Sequence, residues 1–289
     1  MKMNIEPISP DFAARVTDID LSQPLSDEAT VEIEQAIARF AVLIFPDQPL
    51  TDDQHAAFTR RFGPIDKGLL LGSKRKPRLS NSDVIDLANV DADGNVLPAA
   101  NIRNVSLIAN QFWHSDSSFK SPPAKYSILC GMDLPDQGGQ TEFADQRAAY
   151  DDLSDDMKAT IDGMVAEHWA YHSRNMLGGG GYSEAEMAAL PAVHWPIVHT
   201  ISESGRKSLF VGIHTREIDG MITPEARMLL HDLLEHATQR KFVYRHEWQN
   251  NDVLMWDNQS TLHRGRAYDL NQLRELRRCT TEVVLDEAG

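Results

Sequence analysis

The sequence predicts a mainly β protein with helical insertions, folded as a double-stranded β-helix of the jelly-roll, cupin-like type. Three observations carry that expectation. After residue 120, short β-rich runs recur between turn residues: "AKYSILCGM", "TEFAD", "PIVHTI", "KSLFVGI", "KFVYRHEW", "DVLMWDN" and "RRCTTEVVL". Signals for βαβ units, which a parallel sheet requires, are few. A histidine and an aspartate stand two residues apart in "NQFWHSDSSF", and the mouth of a double sheet is a usual place for small-molecule sites. No repeat, low-complexity tract or clean linker divides the chain, so residues 1–289 are expected to form one domain.

The elements follow in order. "MKMNIEPISPDFAARV" has no apolar core of a secretory signal, which points to a cytoplasmic protein. Ser26 caps a helix over "SDEATVEIEQAIARF", which runs into a short buried strand, "AVLIF". In "TDDQHAAFTRRFG", Thr51 and Gln54 occupy capping-box positions and Gly63 is a stop. Residues 64–106 read as loop with one strand, "VIDLANV", and a turn at "DADGNV". Later helices are expected at "SDDMKATIDGM" and at "TPEARMLLHDLLEHATQ", the second with Pro224 in its first turn. "SESGRK" reads as a hairpin loop, and "LGGGGY" at 177–182 as a flexible tip or lid.

A net charge of −15 repels phosphate backbones, so nucleic acid is an unsuitable partner, and no apolar run is long enough to span a bilayer. Cys130 and Cys279 sit in apolar strand-like contexts and read as buried, reduced thiols; two cysteines cannot build a thiolate metal cage. Against the acidic background, Lys74, Arg75, Lys76 and Arg78 form a basic cluster in "GSKRKPRL". It reads either as a solvated loop or as a flap that attracts an anion.

In an extended segment, residues i and i+2 point the same way, so His114 and Asp116 can converge on a divalent metal. The spacing needs a third donor. His55, His231 and His236 fall in helices, and His168, His172, His194 and His246 in strand-like or loop segments. Such histidines are more often surface or hydrogen-bonded core residues than ligands. His199 and His214 fall in the "PIVHTI…FVGIHT" hairpin, where they can line a site. His263 follows an apolar strand, "DVLMWDNQSTL", and leads into "HRGRAYD" near the expected mouth. Two imidazoles and one carboxylate make the facial triad of non-haem Fe(II) oxygenases, although a zinc or manganese hydrolase or a metal-binding sensor can use the same donors. Eleven residues on, "NQLRELRRCTTEVV" places Arg274, Leu276 and Arg278 on one strand face. If that face is solvent-exposed the two arginines need no partner; if it is inward they need neutralising anions, which carboxylates clamped by guanidinium would supply.

With "WHSDSSF", "GGQTEFAD", "FVYRHEW", "VLMWDN" and "LHRGR…RELRR" in order, and "FPDQPLTDDQ" and "RRFGPID" near the start, the chain resembles the Fe(II)- and 2-oxoglutarate-dependent dioxygenases of the taurine dioxygenase family over nearly its full length. The resemblance implies Fe(II) held by His114, Asp116 and His263, with 2-oxoglutarate and O2 as cosubstrates and Thr141, Trp256 and Arg274 contacting the 2-oxoglutarate. Arg278 is then free for the carboxylate of a small anionic aromatic substrate. Leu69, Leu70, Leu71, Ile108, Asn110 and His214 are candidates to line that substrate's pocket. The implied reaction hydroxylates an aryloxyalkanoate beside its ether oxygen, giving a phenol and glyoxylate with succinate and CO2. A sulfonate, an alkyl sulfate or a natural aromatic acid is the alternative substrate, and a homo-oligomer is the expected assembly.

Overall fold

The computed structural model describes residues 3–67, 78–176 and 183–284. With strands numbered in chain order, one sheet runs β1 (Asn4–Pro7), β2 (Ala14–Thr17), β3 (Val42–Phe45), β13 (Val253–Asp257), β5 (Ala124–Asp133), β15 (Glu275–Glu282), β4 (Ile85–Ala88). A second runs β12 (Val243–His246), β6 (Thr141–Asp145), β14 (Thr261–Gly265). The pairings are antiparallel apart from β2 with β3. This is the jelly-roll core expected from the spacing of the β-rich runs.

Strand alternation builds two apolar layers from the same residues' neighbours. Leu43, Phe45, Ile128, Cys130, Val253 and Met255 point to one face of the large sheet and pack on Ile33, Ile37 and Phe40 of helix α1 (Asp27–Phe40). Val42, Ile44, Leu129, Leu254, Trp256 and Leu276 point to the other face and meet Phe143 of the small sheet. Each large aliphatic side chain so buried contributes roughly 1.5–3 kcal/mol. The site lies in this second layer, between the sheets.

The local signals hold where they act locally. Ser26 accepts from Ala29 N at the start of α1, and Thr51 and Gln54 form the capping box of helix α2 (Asp52–Thr59), whose following turn ends at Gly63. The stretch 64–106 departs from expectation: helix α3 (Ile102–Ala109) begins inside it. Its asparagine and β-branched residues are weak helix formers, so the helix is not legible by propensity. Helices α4 (Gln146–Asp152), α5 (Asp155–Ile161), α6 (Ala170–Met176) and α7 (Glu184–Ala189) follow, with α8 (Thr223–Ala237) starting at Pro224 as expected. His172 therefore lies in a helix, not a loop or strand. A third sheet, β11 (Thr215–Ile218), β7 (Val165–His168), β8 (Val193–Pro196), and the hairpin of β9 (Val198–Thr200) with β10 (Lys207–Leu209) complete the described chain. Among the described residues no helix is long and apolar enough to cross a membrane. Cys130 and Cys279 are buried free thiols.

Two buried histidines give the fold a pH dependence. His55 places Nε2 3.1 Å from Ile128 O, and burial pushes its pKa down to about 4. His168 stacks on Phe210 with ring centroids 5.0 Å apart, and burial pushes it down to about 3. Both are neutral when folded and take up a proton on unfolding below the ordinary histidine value of roughly 6.5. Stability is therefore full above that pH and falls on acidification, by about 2 kcal/mol for each histidine at pH 5. Urea unfolding at pH 7 and pH 5 checks this: His55→Gln, which keeps a donor for Ile128 O, is expected to reduce the fall by about that amount.

Candidate active site

His114 and His263 are joined by their own backbones: each N–H donates to the other's carbonyl, at 3.0 and 2.9 Å. His263 lies within β14 rather than after a single long strand, and the bridge brings the two rings to 4.1 Å between centroids. Just past Asp116, Ser117 adopts φ +46° and turns the chain away. The ligand atoms offered by His114, Asp116 and His263 all lie within 4.8 Å of one another, and all three residues are buried. Asp116 stands 3.9 Å from His114 Nε2 and 3.7 Å from His263 Nε2.

The chemistry of these donors suits a divalent cation. His114 Nδ1 lies 2.8 Å from Phe112 O, and a carbonyl only accepts, so Nδ1 carries the proton and Nε2 keeps its lone pair. Burial pushes the pKa of His114 down and that of His263 well down, which keeps both imidazoles neutral. Burial opposes the charge on Asp116, but Arg278, the two neighbouring histidines and the Ser127 hydroxyl together outweigh it and hold the carboxyl well below the usual carboxylate range.

Asp116 is oriented from several sides. Ser127 Oγ donates to its Oδ2 at 2.7 Å, and Arg278 Nη1 donates to its Oδ1. Asn258 accepts from the Asp116 N–H at 3.2 Å and donates to Ser127 Oγ at 2.9 Å, while Trp256 Nε1 donates to Asn258 at 3.0 Å. Trp256 also lies against His263, with ring centroids 4.7 Å apart.

A cleft opens from the two histidines towards Arg274. Thr141, Trp256, Arg274 and Arg278 line it, as do Ile108 and Asn110 of the expected substrate pocket. Leu87, Leu129 and Leu276 form apolar walls. Arg274 is 9% exposed and lies over the Tyr268 ring, 5.3 Å from its centroid. Its Nη2 donates to Gly139 O at 2.9 Å, and its buried Nε has no hydrogen-bond partner. No carboxylate pairs with it among the described residues, and burial pushes its pKa down to about 10.

The expected triad, Thr141, Trp256, Arg274, Arg278, Ile108 and Asn110 thus converge. His214 lies beside them, edge-on to His114 at 6.3 Å, with Nδ1 3.0 Å from Ser173 Oγ and its ring against Phe119. His199 is bound to Gln259 O instead. Leu69, Leu70 and Leu71, the tip at 177–182 and Lys74, Arg75 and Lys76 lie outside the described residues. Arg78 pairs with Asp86 and Glu275. Sequence reasoning missed Ser127 and Asn258, although a serine amid the apolar run "KYSILC" is the kind of interruption that marks a brace.

Known proteins share this arrangement of chain. A family model described as taurine catabolism dioxygenase TauD, TfdA family, matches residues 4–280. The chain is 48% identical to an alpha-ketoglutarate-dependent 2,4-dichlorophenoxyacetate dioxygenase of Cupriavidus pinatubonensis, covering 100% of this chain and 99% of that protein. It is 34% identical to an (S)-phenoxypropionate/alpha-ketoglutarate-dioxygenase of Sphingobium herbicidovorans, covering 94% and 92% respectively. The crystal structure of AAD-2 in complex with Mn(II) and N-oxalylglycine matches with a TM-score of 0.91 and 39% identity over 100% of both chains. With a family match that takes in both sheets and every residue of the cleft, the chain belongs to the TauD/TfdA family of dioxygenases.

Proposed function

We propose that the protein is an Fe(II)- and 2-oxoglutarate-dependent dioxygenase that hydroxylates an aryloxyalkanoate beside its ether oxygen. One observation carries the reading: Arg274 is a buried cation without a carboxylate partner among the described residues, in the same cleft as two histidines and an aspartate arranged for a metal. A hydrolase has no use for that arginine. A dicarboxylic cosubstrate does, since its far carboxylate neutralises the charge that burial would otherwise penalise.

His114, Asp116 and His263 would hold Fe(II), and the bound metal, with 2-oxoglutarate, supplies the activation of O2. Arg274 and the Thr141 hydroxyl hold the distal carboxylate. Leu129 and Leu276 keep water from the space between, which strengthens each charge interaction there. Arg278 pairs with Asp116; with a cation held by the three donors, its guanidinium would be free to pair with the substrate carboxylate. Leu107 and Ile108 of the α3 end present apolar surface suited to an arene. Once one oxygen atom is inserted at the carbon between ether and carboxylate, the carbon–ether bond breaks to release a phenol and a 2-oxo acid, which for an aryloxyacetate is glyoxylate. The second oxygen atom of O2 leaves in succinate, with CO2.

The similarity to dioxygenases named for 2,4-dichlorophenoxyacetate and phenoxypropionate supports this substrate class. The test has two stages. Anaerobic Fe(II) protein is titrated with 2-oxoglutarate and watched for a visible charge-transfer band; O2 is then admitted with a panel of aryloxyalkanoates, and succinate and phenol are assayed. A band with phenol release is expected. Succinate without phenol across the panel would overturn the substrate class alone.

A further inference from the structure

The pairing of β12 with β6 places His246 directly opposite Thr141. Two residues on, Trp248 turns back over that pair, and its Nε1 donates to Thr141 Oγ1 at 3.0 Å. An indole N–H only donates, so Thr141 accepts here and its own proton must point elsewhere. Among the described residues that proton has no protein acceptor, and Thr141 faces the cleft that holds Arg274.

The indole is itself fixed. Gly131 of β5 lies beneath it, where a Cβ would stand 2.9 Å from Cε3 and 3.3 Å from Cζ3. His246 meets its edge, with ring centroids 4.9 Å apart at 89°. His246 is pinned in turn by Asp252, 3.0 Å from Nε2, and by the Tyr244 hydroxyl, 3.2 Å from Nδ1. Asp252 also accepts from the Gln249 N–H at 3.0 Å, next to Trp248 in the chain. Arg274 is seated in the same manner: a Cβ on Gly139 would stand 3.0 Å from its Nε. On the glycine side, neither Trp248 nor Arg274 has room to move.

We propose that Trp248, seated on Gly131 and braced by the His246–Asp252 pair, is a positioning residue that aims the Thr141 hydroxyl at the distal carboxylate and so sets the chain length of the 2-oxo acid accepted. This rests on the cosubstrate reading above. Replacing one hydrogen-bond donor to a group that contacts a carboxylate loosens that end of the site while leaving the metal end untouched.

Binding is measured without turnover, by calorimetric titration of Fe(II)-loaded protein under nitrogen with 2-oxoglutarate and with 2-oxoadipate, one carbon longer. Trp248→Phe keeps a ring over Gly131 and removes the N–H donor. Its affinity for 2-oxoglutarate is expected to fall about tenfold while that for 2-oxoadipate changes by less than about twofold. Gly131→Ala, which displaces the indole, is expected to give the same loss of selectivity. Unchanged 2-oxoglutarate affinity in Trp248→Phe overturns the proposal, and so does an equal loss for both acids, which is the mark of a merely structural residue. Iron-loaded wild-type protein that binds neither acid overturns the cosubstrate reading instead.

Discussion

Arg274→Met is expected to weaken 2-oxoglutarate binding by at least about 30-fold and yet raise the melting temperature of the protein measured without cosubstrate. The guanidinium is nine-tenths buried, with Gly139 O as its hydrogen-bond acceptor and no carboxylate partner among the described residues. Removing its half of a desolvated charge pair costs about 2–5 kcal/mol of binding, from about 30-fold to several thousand-fold in affinity. The same charge is a burden on the fold, because an ionised group in an apolar layer without a counter-ion is strongly disfavoured. A methionine of similar length packs against Leu129 and Leu276 without that penalty. A gain of about 1–2 kcal/mol corresponds to roughly 2–4 °C in a chain of this size. Calorimetric scans of both proteins, with and without 2-oxoglutarate, check both halves. A methionine variant that melts lower without cosubstrate would mean Arg274 is structural.

Asp116→Ala has the opposite signature. Metal binding is expected to be lost, and stability is expected to fall by about 2–4 kcal/mol, because Arg278 loses the carboxylate that balances it. The figure lies below that for a fully buried pair because 17% of the Arg278 side chain is exposed. Asp116→Ala with Arg278→Met is expected to recover most of the stability and none of the metal. Iron content after gel filtration and urea unfolding of the three proteins measure the two effects. An alanine variant that retains stoichiometric iron would remove Asp116 from the ligand set.

What the sequence made legible is what acts over a few residues. Ser26, and Thr51 with Gln54, mark helix starts because the capping atoms are neighbours in the chain. Runs such as "DVLMWDN" and "AKYSILCGM" declare strands because alternate residues fill two apolar layers. The short strands β7, β8 and β11 declare less, since four residues give little periodicity to read. The candidate ligands were legible by residue type, and Arg274 by its place two residues from a leucine on one strand face. The brace of Asp116 was not: Asn258 reaches Ser127 across 131 residues of chain, and no local pattern encodes such a contact. Trp248 has the same difficulty, as it meets Thr141 107 residues away.

The reciprocal hydrogen bonds between His114 and His263 tie off everything between them as one excursion with a closed neck. Helices α4 to α8 and the third sheet all belong to that excursion. Lengthening one of its loops costs little, since each doubling of a flexible loop adds only about 0.6 kcal/mol of closure entropy. The neck sets the distance between the two imidazoles whatever the excursion carries. Insertions between its core strands can therefore be lengthened with little effect on the spacing of the two imidazoles, while Ile108, Asn110 and Arg278 of the cleft lie outside the excursion and keep their places.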